Sequence, residues 1–405
     1  MLSNTLPEVR KLPLILGGTV DIADIVGRDE YVSRMWKDLE HTSIVINEIR
    51  RFSKSTILRL MESNPPPHWI CVRTSVQDIR TKSSLAELTL EVLLNHTAVK
   101  EQVKQKIRSF GQKTKEIKVN TGVIAFSFQP DFKINAFSVF RSLLKDVDKQ
   151  LAESNQKLVI IWDEFPDAIG NIKKEEGDSV AEDIMSLFRM LREDDGSKNI
   201  RWILTGSVGF HHILKGQRKL INDMVIVGVP PLSHEWTCWL AKGLLLGIGI
   251  EHSDVQAISK ISGGIPFVLE MLIKYIRDNG LDVPNSDDGA RELLIKAACS
   301  PEYGINWAPL LERVDHYYEK KKMPIVMEIL DILGHDSLNT ETLFNNIIIH
   351  QRSQGKRIGN EDIGSLLTSL IEDHYIQFNS NTGEFSWLHE PLQTIWLARR
   401  WRIKA

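Results

Sequence analysis

The sequence predicts an α/β fold with a parallel sheet, followed by a helical segment and a C-terminal domain of helices and a hairpin. Short apolar runs alternate with helical patterns over the first half of the chain, which is typical of strand–helix–strand units. One run, residues 158–162, is wholly apolar, as expected for a strand buried on both faces. Another run leads through Lys54-Ser55 into a helical pattern, the layout of a phosphate-binding loop.

Length and composition limit the classes of protein to consider. With 405 residues the chain is long enough for two or three domains, and a net charge of −3 gives no global bias toward nucleic acid or membrane. Three widely spaced cysteines, Cys71, Cys238 and Cys299, indicate neither a disulfide framework nor a zinc site and favour a reducing compartment. We see no signal peptide and no apolar stretch of about 18 residues, so we expect a cytoplasmic protein without a membrane span.

The loop that ends in Lys54-Ser55 follows an apolar run, residues 43–46, and precedes a helical pattern that begins at Ile57. The unpaired N–H groups at a helix N-terminus suit a phosphate. We therefore expect Lys54 at the β- and γ-phosphates of a nucleotide and the Ser55 hydroxyl on Mg²⁺.

Two glycines of the G-x-x-x-x-G-K-[ST] pattern are replaced, by Glu48 and Ser53. A serine held at φ > 0 costs about 1–2 kcal/mol, and Glu48 places a negative charge near the expected phosphates. The alternative interpretation is an ordinary strand-turn-helix with an exposed basic loop over residues 50–54.

The N-terminal residues, 1–25, have little regular pattern and are interpreted as a lead-in. Gly27 and Arg28 precede a helical pattern over residues 31–39 and would lie beside a purine base if a nucleotide binds here. The alternative is a helix start with an acidic first turn.

Further elements are expected in order after the Lys-Ser loop. Prolines at 65–67 end the first helix. The patterns then predict a strand at 68–72, a helix over 84–112, a hairpin over 116–128 and a helix at 137–151.

An acid pair, Asp163-Glu164, follows the apolar strand at 158–162. Ligands of open α/β sheets bind at the carboxyl ends of strands, so Asp163 is expected to hold Mg²⁺ through water. Glu164 is expected to orient or deprotonate an attacking water. The alternative is an acidic turn, but a Lys-Ser loop upstream in the same chain favours the functional interpretation.

The next strand, residues 201–204, is preceded by a predicted helix at 179–191 and ends in Thr205-Gly206-Ser207. Thr205 and Ser207 are candidates for contact with a γ-phosphate or the attacking water, and a plain turn is the alternative. One more strand is predicted at 224–229. Residues 233–280 are then helical, with an interruption at 263–266, and residues 279–290 have the composition of a linker.

The C-terminal region, about 305–405, is predicted to hold three helices, at 325–333, 340–350 and 361–372, followed by a hairpin over 375–387. This is the order of a winged helix, a module that often binds DNA. Its third helix carries acidic residues and no lysine or arginine, whereas phosphate contacts need cations. Protein contact or packing is therefore favoured over DNA, and DNA binding stays as an alternative.

Taken together, these motifs resemble the STAND branch of AAA+-like P-loop ATPases, especially the archaeal-type ATPases related to the Orc/Cdc6 initiators. The resemblance covers about residues 24–400. It rests on the order of Val26-Gly27-Arg28, the loop Arg50-Arg51-Phe52-Ser53-Lys54-Ser55, the strand end Trp162-Asp163-Glu164, Thr205-Gly206-Ser207, Pro231-Leu232-Ser233 and Gly264-Ile265-Pro266.

The resemblance implies a nucleotide-binding site and a domain plan. Gly27, Arg28 and Pro266 would border the base, and the loop with Thr56 would bind the phosphates. The implied domains are an ATPase core at 26–230, a helical lid with linker at 231–290 and a winged-helix-like domain at 291–405. Ser53 is a departure from the family's glycine.

The expected function is an ATP-binding switch, with ATP or ADP and Mg²⁺ as cofactors, that repositions the C-terminal domain. Lys54 and Glu164 would be its catalytic residues, and the partner would be another protein, a second copy of the chain or DNA. The first alternative is a scaffold that holds nucleotide with little or no hydrolysis. The second is an ATP-regulated DNA-binding protein.

Overall fold

The structure is a computed structural model, and it describes residues 6–96, 136–193, 198–206, 210, 212, 221–251, 254–303, 306–308, 314 and 318–404. The chain forms two compact units. The first, here called the sheet unit, comprises Glu30–Asn47 and Ile57–Gly228. The second, here called the helical unit, comprises Met1–Asp29, Glu48–Thr56 and Val229–Ala405.

A five-stranded parallel sheet organises the sheet unit. Its strands are β1 (Ser43–Asn47), β2 (Trp69–Ser75), β3 (Lys157–Asp163), β4 (Ile200–Gly206) and β5 (Met224–Val227). They lie in the order β2-β3-β4-β1-β5. The predicted parallel α/β sheet is confirmed, and the carboxyl ends of β1, β3 and β4 meet at one edge.

Helix α1 (Asp29–Leu39) precedes the first strand. The helices between the strands are α2 (Lys54–Ser63), α3 (Lys82–Asn95), α4 (Ala136–Glu153), α5 (Phe165–Glu176) and α6 (Asp178–Glu193). Helix α5 was not predicted, although its buried Phe165, Ala168, Ile169 and Ile172 have helical spacing. The predicted hairpin at 116–128 lies outside the described residues. The helix predicted over 84–112 ends earlier, at Asn95, because the backbone is extended at His96, and the rest of that range lies outside the described residues.

The core beneath the sheet's edge is aromatic. The ring of Trp162 lies 4.8 Å from that of Trp202 and stacks on Phe165 at 5.4 Å, measured between centroids. The Trp162 indole N–H donates to Thr89 Oγ1 at 3.1 Å, so its polar atom is satisfied within the core. Since Asp163 is the next residue, this packing fixes the strand end that carries the acid pair.

The helical unit continues with α7 (His234–Gly247), α8 (Gln256–Ile261), α9 (Pro266–Asn279) and α10 (Asp287–Cys299). The predicted interruption before Pro266 is present, and Gly263 and Gly264 there have φ of 59° and 72°. Helix α10 begins inside the stretch predicted as a linker, because Ser286 Oγ accepts a hydrogen bond from the Gly289 N–H and caps the helix.

The C-terminal region contains the three predicted helices and the hairpin. Its elements are α11 (Met323–His335), β6 (Leu338–Asn339), α12 (Thr340–Ser353), α13 (Asn360–Glu372), β7 (Ile376–Asn379), β8 (Glu384–Trp387) and α14 (Glu390–Lys404). The three strands form an antiparallel sheet in the order β6-β8-β7. A winged helix remains the prediction for this arrangement. Among the described residues, no helix combines the length and the apolar character that crossing a membrane requires.

Candidate functional site

The loop between β1 and α2 is packed into the protein. Phe52 is 2% exposed, Lys54 is 6% exposed, and Arg50, Arg51 and Ser53 are half-buried. The alternative interpretation of an exposed basic loop is therefore wrong. Two non-glycine residues of the loop have the positive φ that usually favours glycine: φ is 71° at Arg51 and 63° at Ser53.

The Lys54 ammonium group lies inside this loop. Its Nζ donates hydrogen bonds to the Glu48 carbonyl at 2.5 Å and to the Ile49 carbonyl at 2.9 Å. Because Lys54 is also the first residue of α2, its charge adds to the partial positive charge of the helix N-terminus. The arrangement concentrates positive potential where an anion would be bound.

The remaining loop positions surround the start of α2. Ser55 is exposed on its first turn, Thr56 and Arg50 are half-buried, and the Ser55 hydroxyl is a suitable oxygen ligand for Mg²⁺. The Arg51 guanidinium lies over the Phe267 ring of α9, 5.0 Å from the centroid.

The Glu48 carboxylate is buried and has several partners. It is 3% exposed, and its carboxylate accepts the Ile49 N–H at 2.9 Å and the Val229 N–H at 3.1 Å. Nδ1 of His374 lies 3.4 Å from the same carboxylate. Burial alone would raise the pKa of Glu48, but the hydrogen bond and charge of His374 outweigh it and hold the pKa below its ordinary value.

A second histidine of the C-terminal region contacts the loop. The His389 ring lies 4.8 Å from the Phe52 ring between centroids. Burial lowers the pKa of His389 to about 4, so this ring is neutral at pH 7. Sequence analysis missed His374 and His389, because no local pattern connects them to a loop so distant in the chain.

The two residues expected beside a base have structural contacts of their own. Gly27 has φ of 65°, and a Cβ built there would lie 2.7 Å from Trp236 Cγ, so only glycine permits this close approach. Arg28 is 3% exposed and donates to the Pro230 carbonyl at 2.6 Å, while α1 begins at the next residue. Pro266 is half-buried at the start of α9. Base contact stays a prediction for all three.

In the sheet unit, a threonine ties the acid pair together. Thr205 is fully buried, and its hydroxyl donates a hydrogen bond to Asp163 Oδ1. The same hydroxyl oxygen accepts the Glu164 N–H at 3.3 Å. Thr205 therefore positions both acids, a role different from the predicted contact with phosphate or water, which stays a prediction. Ser207 lies outside the described residues.

Glu164 adopts a strained backbone at the start of α5. Its φ is 59°, a left-handed conformation that costs a non-glycine residue about 1–2 kcal/mol. Such strain is often kept at functional sites because the side chain must point in one direction. This supports the functional interpretation of the acid pair over a plain acidic turn.

Arg73 of β2 is a further residue that sequence analysis did not single out. Its NH1 lies 3.7 Å from Asp163 Oδ2, and its Nε donates to Glu62 at 3.0 Å. The sheet register explains the contact, since Ser75, two residues later, pairs with Asp163. The structure thus assembles Asp163, Thr205 and Arg73 in the sheet unit, and Lys54 and its loop in the helical unit. Their joint action on one nucleotide stays a prediction.

Comparisons with known proteins address the fold. No protein-family model matches the chain, and no curated protein matches it in sequence. Among solved structures, a Walker-type ATPase of Pyrococcus abyssi is 18% identical, with a TM-score of 0.61 over 98% of this chain and 100% of that chain. This match confirms the predicted P-loop ATPase fold, and at this identity it shows the fold alone.

Two further structures are more distantly similar. The ORC2 protein of Aeropyrum pernix, solved as ADPNP–ADP complexes, is 14% identical with a TM-score of 0.47, over 94% of this chain and 96% of that chain. A STAND protein with a tetratricopeptide repeat sensor from Pyrococcus horikoshii is 12% identical with a TM-score of 0.33, over 92% of this chain and 42% of that chain.

Proposed function

We propose that this protein binds ATP with Mg²⁺ and hydrolyses it as a nucleotide-dependent switch. The observation that carries the proposal is the buried Lys54 ammonium group, enclosed by the carbonyls of its own loop at the N-terminus of α2. A buried ammonium group at a helix N-terminus is placed where an anion would be bound. The fold shared with a Walker-type ATPase supports ATP as that anion.

The residues present fit a magnesium nucleotide. Ser55 offers a hydroxyl and Asp163 a carboxylate, the hard oxygen ligands that Mg²⁺ prefers. Bound Mg²⁺ supplies charge neutralisation at the phosphate oxygens. Lys54 and the N–H groups of α2 would bind the phosphates, and Gly27, Arg28 and Pro266 would border the base.

Hydrolysis requires a group that orients water. Glu164 is the candidate general base, and its strained backbone is held by the hydrogen bond from its N–H to Thr205. Thr205 also fixes Asp163, so loss of its hydroxyl would disturb the metal ligand and the base together. Arg73 limits the motion of the Asp163 carboxylate from the other side.

The proposed switch would act on the C-terminal region. His374 and His389 contact the loop at Glu48 and Phe52, so a change in the loop reaches that region through direct contacts. We propose a protein partner or a second copy of the chain for it. DNA is less favoured, since α13 carries Glu361, Asp362 and Glu372 and no lysine or arginine.

The first experiment asks whether the purified chain binds nucleotide at the loop. We expect ATP or ADP in the supernatant of the denatured protein on anion exchange, and Mg²⁺-dependent ATP binding in calorimetric titration. Lys54→Ala should abolish binding because it removes the charge inside the loop. Lys260→Ala is the matched control, since Lys260 is an exposed lysine of the same unit that pairs with Asp287. Unchanged affinity in Lys54→Ala would refute the proposal.

The second experiment separates an ATPase from a scaffold that only holds nucleotide. Steady phosphate release should be lost in Glu164→Gln while ATP still binds, because only the base is removed. Glu175→Gln, an exposed acid on the same helix, is the control. The strained Ser53 is the observation that favours the scaffold, and binding without phosphate release in the unmodified chain would establish it.

A further inference from the structure

The phosphate-binding loop contains a carboxylate at a position where it would repel a phosphate. Glu48 is almost completely buried and accepts two backbone N–H groups, from Ile49 and Val229. These bonds hold the carboxylate in place but leave its charge next to Lys54, whose Nζ binds the carbonyl of the same residue. An uncompensated Glu48 would therefore weaken the attraction between Lys54 and an anion.

His374 supplies the compensation. Its Nδ1 lies 3.4 Å from Glu48 Oε2, and its side chain is largely buried. Burial alone would lower the pKa of His374, but the hydrogen bond and the charge of Glu48 outweigh it and raise the pKa above the ordinary 6.5. Below this raised pKa the imidazolium balances the Glu48 carboxylate, and the positive charge of Lys54 remains for a phosphate.

His374 has a left-handed backbone conformation at the end of α13. Helix α13 ends in a Schellman motif, with the His374 N–H donating to the Ile371 carbonyl and the Tyr375 N–H donating to the Leu370 carbonyl, each at 3.0 Å. His374 occupies the left-handed position of that motif, with φ of 60°, where glycine is the usual residue. A histidine there is strained by about 1 kcal/mol, and its imidazole reaches Glu48.

Within the described part of the chain, four charged or titratable groups interact with His374. Glu48 and Lys54 come from the loop, Asp373 from its own turn and His389 from the start of α14. Asp373 is fully buried and accepts the Tyr318 hydroxyl at 2.7 Å. The two acids favour the imidazolium and Lys54 opposes it, while His389, with a pKa of about 4, carries no charge above pH 6.

We propose that His374 is a positioning residue of the nucleotide site: it holds Glu48 from the C-terminal region and neutralises its charge, so that the loop can accept a polyphosphate. The inference rests on the proposed ATP binding and adds a residue to that site. It also makes nucleotide affinity depend on pH. His374 neutralises Glu48 below the raised pKa, and this contribution is lost as the pH rises through that value.

The test is ATP titration of the full chain by calorimetry between pH 6 and pH 9. We expect affinity to fall as the pH rises. His374→Gln should flatten the pH profile and weaken binding about tenfold at pH 7, which corresponds to about 1.4 kcal/mol of lost interaction. The titration of ATP itself affects the unmodified chain and His374→Gln alike. The difference between their two pH profiles therefore measures the contribution of His374. His350→Ala is the control, because His350 also pairs with a buried acid, Glu328, at 2.6 Å.

Two further variants keep the inference refutable if His374→Gln does not fold. Glu48→Gln alone should flatten the pH profile, and combining it with His374→Gln should recover most of the lost affinity, because the Glu48 charge in the loop is then absent. Without nucleotide, the pKa of His374 measured by NMR should drop in Glu48→Gln. Wild-type-like binding and pH profile in His374→Gln, with binding lost in Lys54→Ala, would overturn this inference and leave the proposed function standing. Absence of ATP binding in the unmodified chain would overturn both.

Discussion

Ser53 is the position at which the loop departs most clearly from a glycine pattern, and replacing it tests what that departure does. The residue has φ of 63°, which costs a non-glycine residue about 1–2 kcal/mol. Glycine removes this strain but loses about 0.5–1 kcal/mol through the greater entropy of the unfolded chain. Ser53→Gly should therefore stabilise the protein by about 0.5–1 kcal/mol in chemical denaturation.

The same substitution should strengthen ATP binding. Removing Cβ and the hydroxyl lets the backbone N–H groups approach a phosphate more closely, so we expect a lower dissociation constant in calorimetric titration. Asn155→Gly is the matched control: Asn155 also has φ > 0, at 52°, but lies in the sheet unit outside the loop, and asparagine tolerates this conformation. Weaker ATP binding in Ser53→Gly, or a loss of stability, would refute the reasoning and show that the serine side chain has a favourable contact.

Two other substitutions probe the helical unit and the sheet unit. Burial raises the pKa of Glu270 to about 8, although the charge of Arg51 opposes the shift. Ionised Glu270 therefore destabilises the fold increasingly as the pH rises from 4.5 toward 8. Glu270→Gln should raise the melting temperature at pH 8 but not at pH 4. Equal shifts at both pH values would contradict this. Thr205→Val keeps the shape but removes the donor to Asp163 and the acceptor for the Glu164 N–H, so phosphate release should fall about tenfold or more. Unchanged turnover would show that Thr205 does not position the acids.

The sheet was predictable because its strands are apolar over their whole length. Residues 158–162 indicate a doubly buried strand without any tertiary information, and the acid pair that follows marks its carboxyl end. Helix α5 was not predicted because the residues around its start are typical of a turn, namely Asp163, Glu164 and Pro166. In the structure Glu164 itself turns the chain, with its left-handed φ, and Pro166 lies in the first turn of the helix, where proline is favoured.

The loop was predictable in position but not in energetics. The sequence places Glu48 near a phosphate and indicates repulsion, yet its partner His374 lies in another part of the chain, and no local pattern predicts that contact. The strain at Ser53 was predictable, since a serine in a glycine position either changes the backbone or accepts φ > 0. The structure shows the second outcome.

These two departures differ in what maintains them. The charge of Glu48 is balanced by His374. The positive φ at Ser53 is unfavourable for a non-glycine residue, so surrounding contacts must stabilise it. Three sets of contacts do this: Lys54 binds the carbonyls of residues 48 and 49, Glu48 binds the Val229 N–H, and Phe52 packs against His389. The loop conformation is thus held by the bonds of Lys54 within the loop together with tertiary contacts to Val229 and His389. It follows that disturbing the C-terminal contacts of the loop should change nucleotide affinity even when every loop residue is intact.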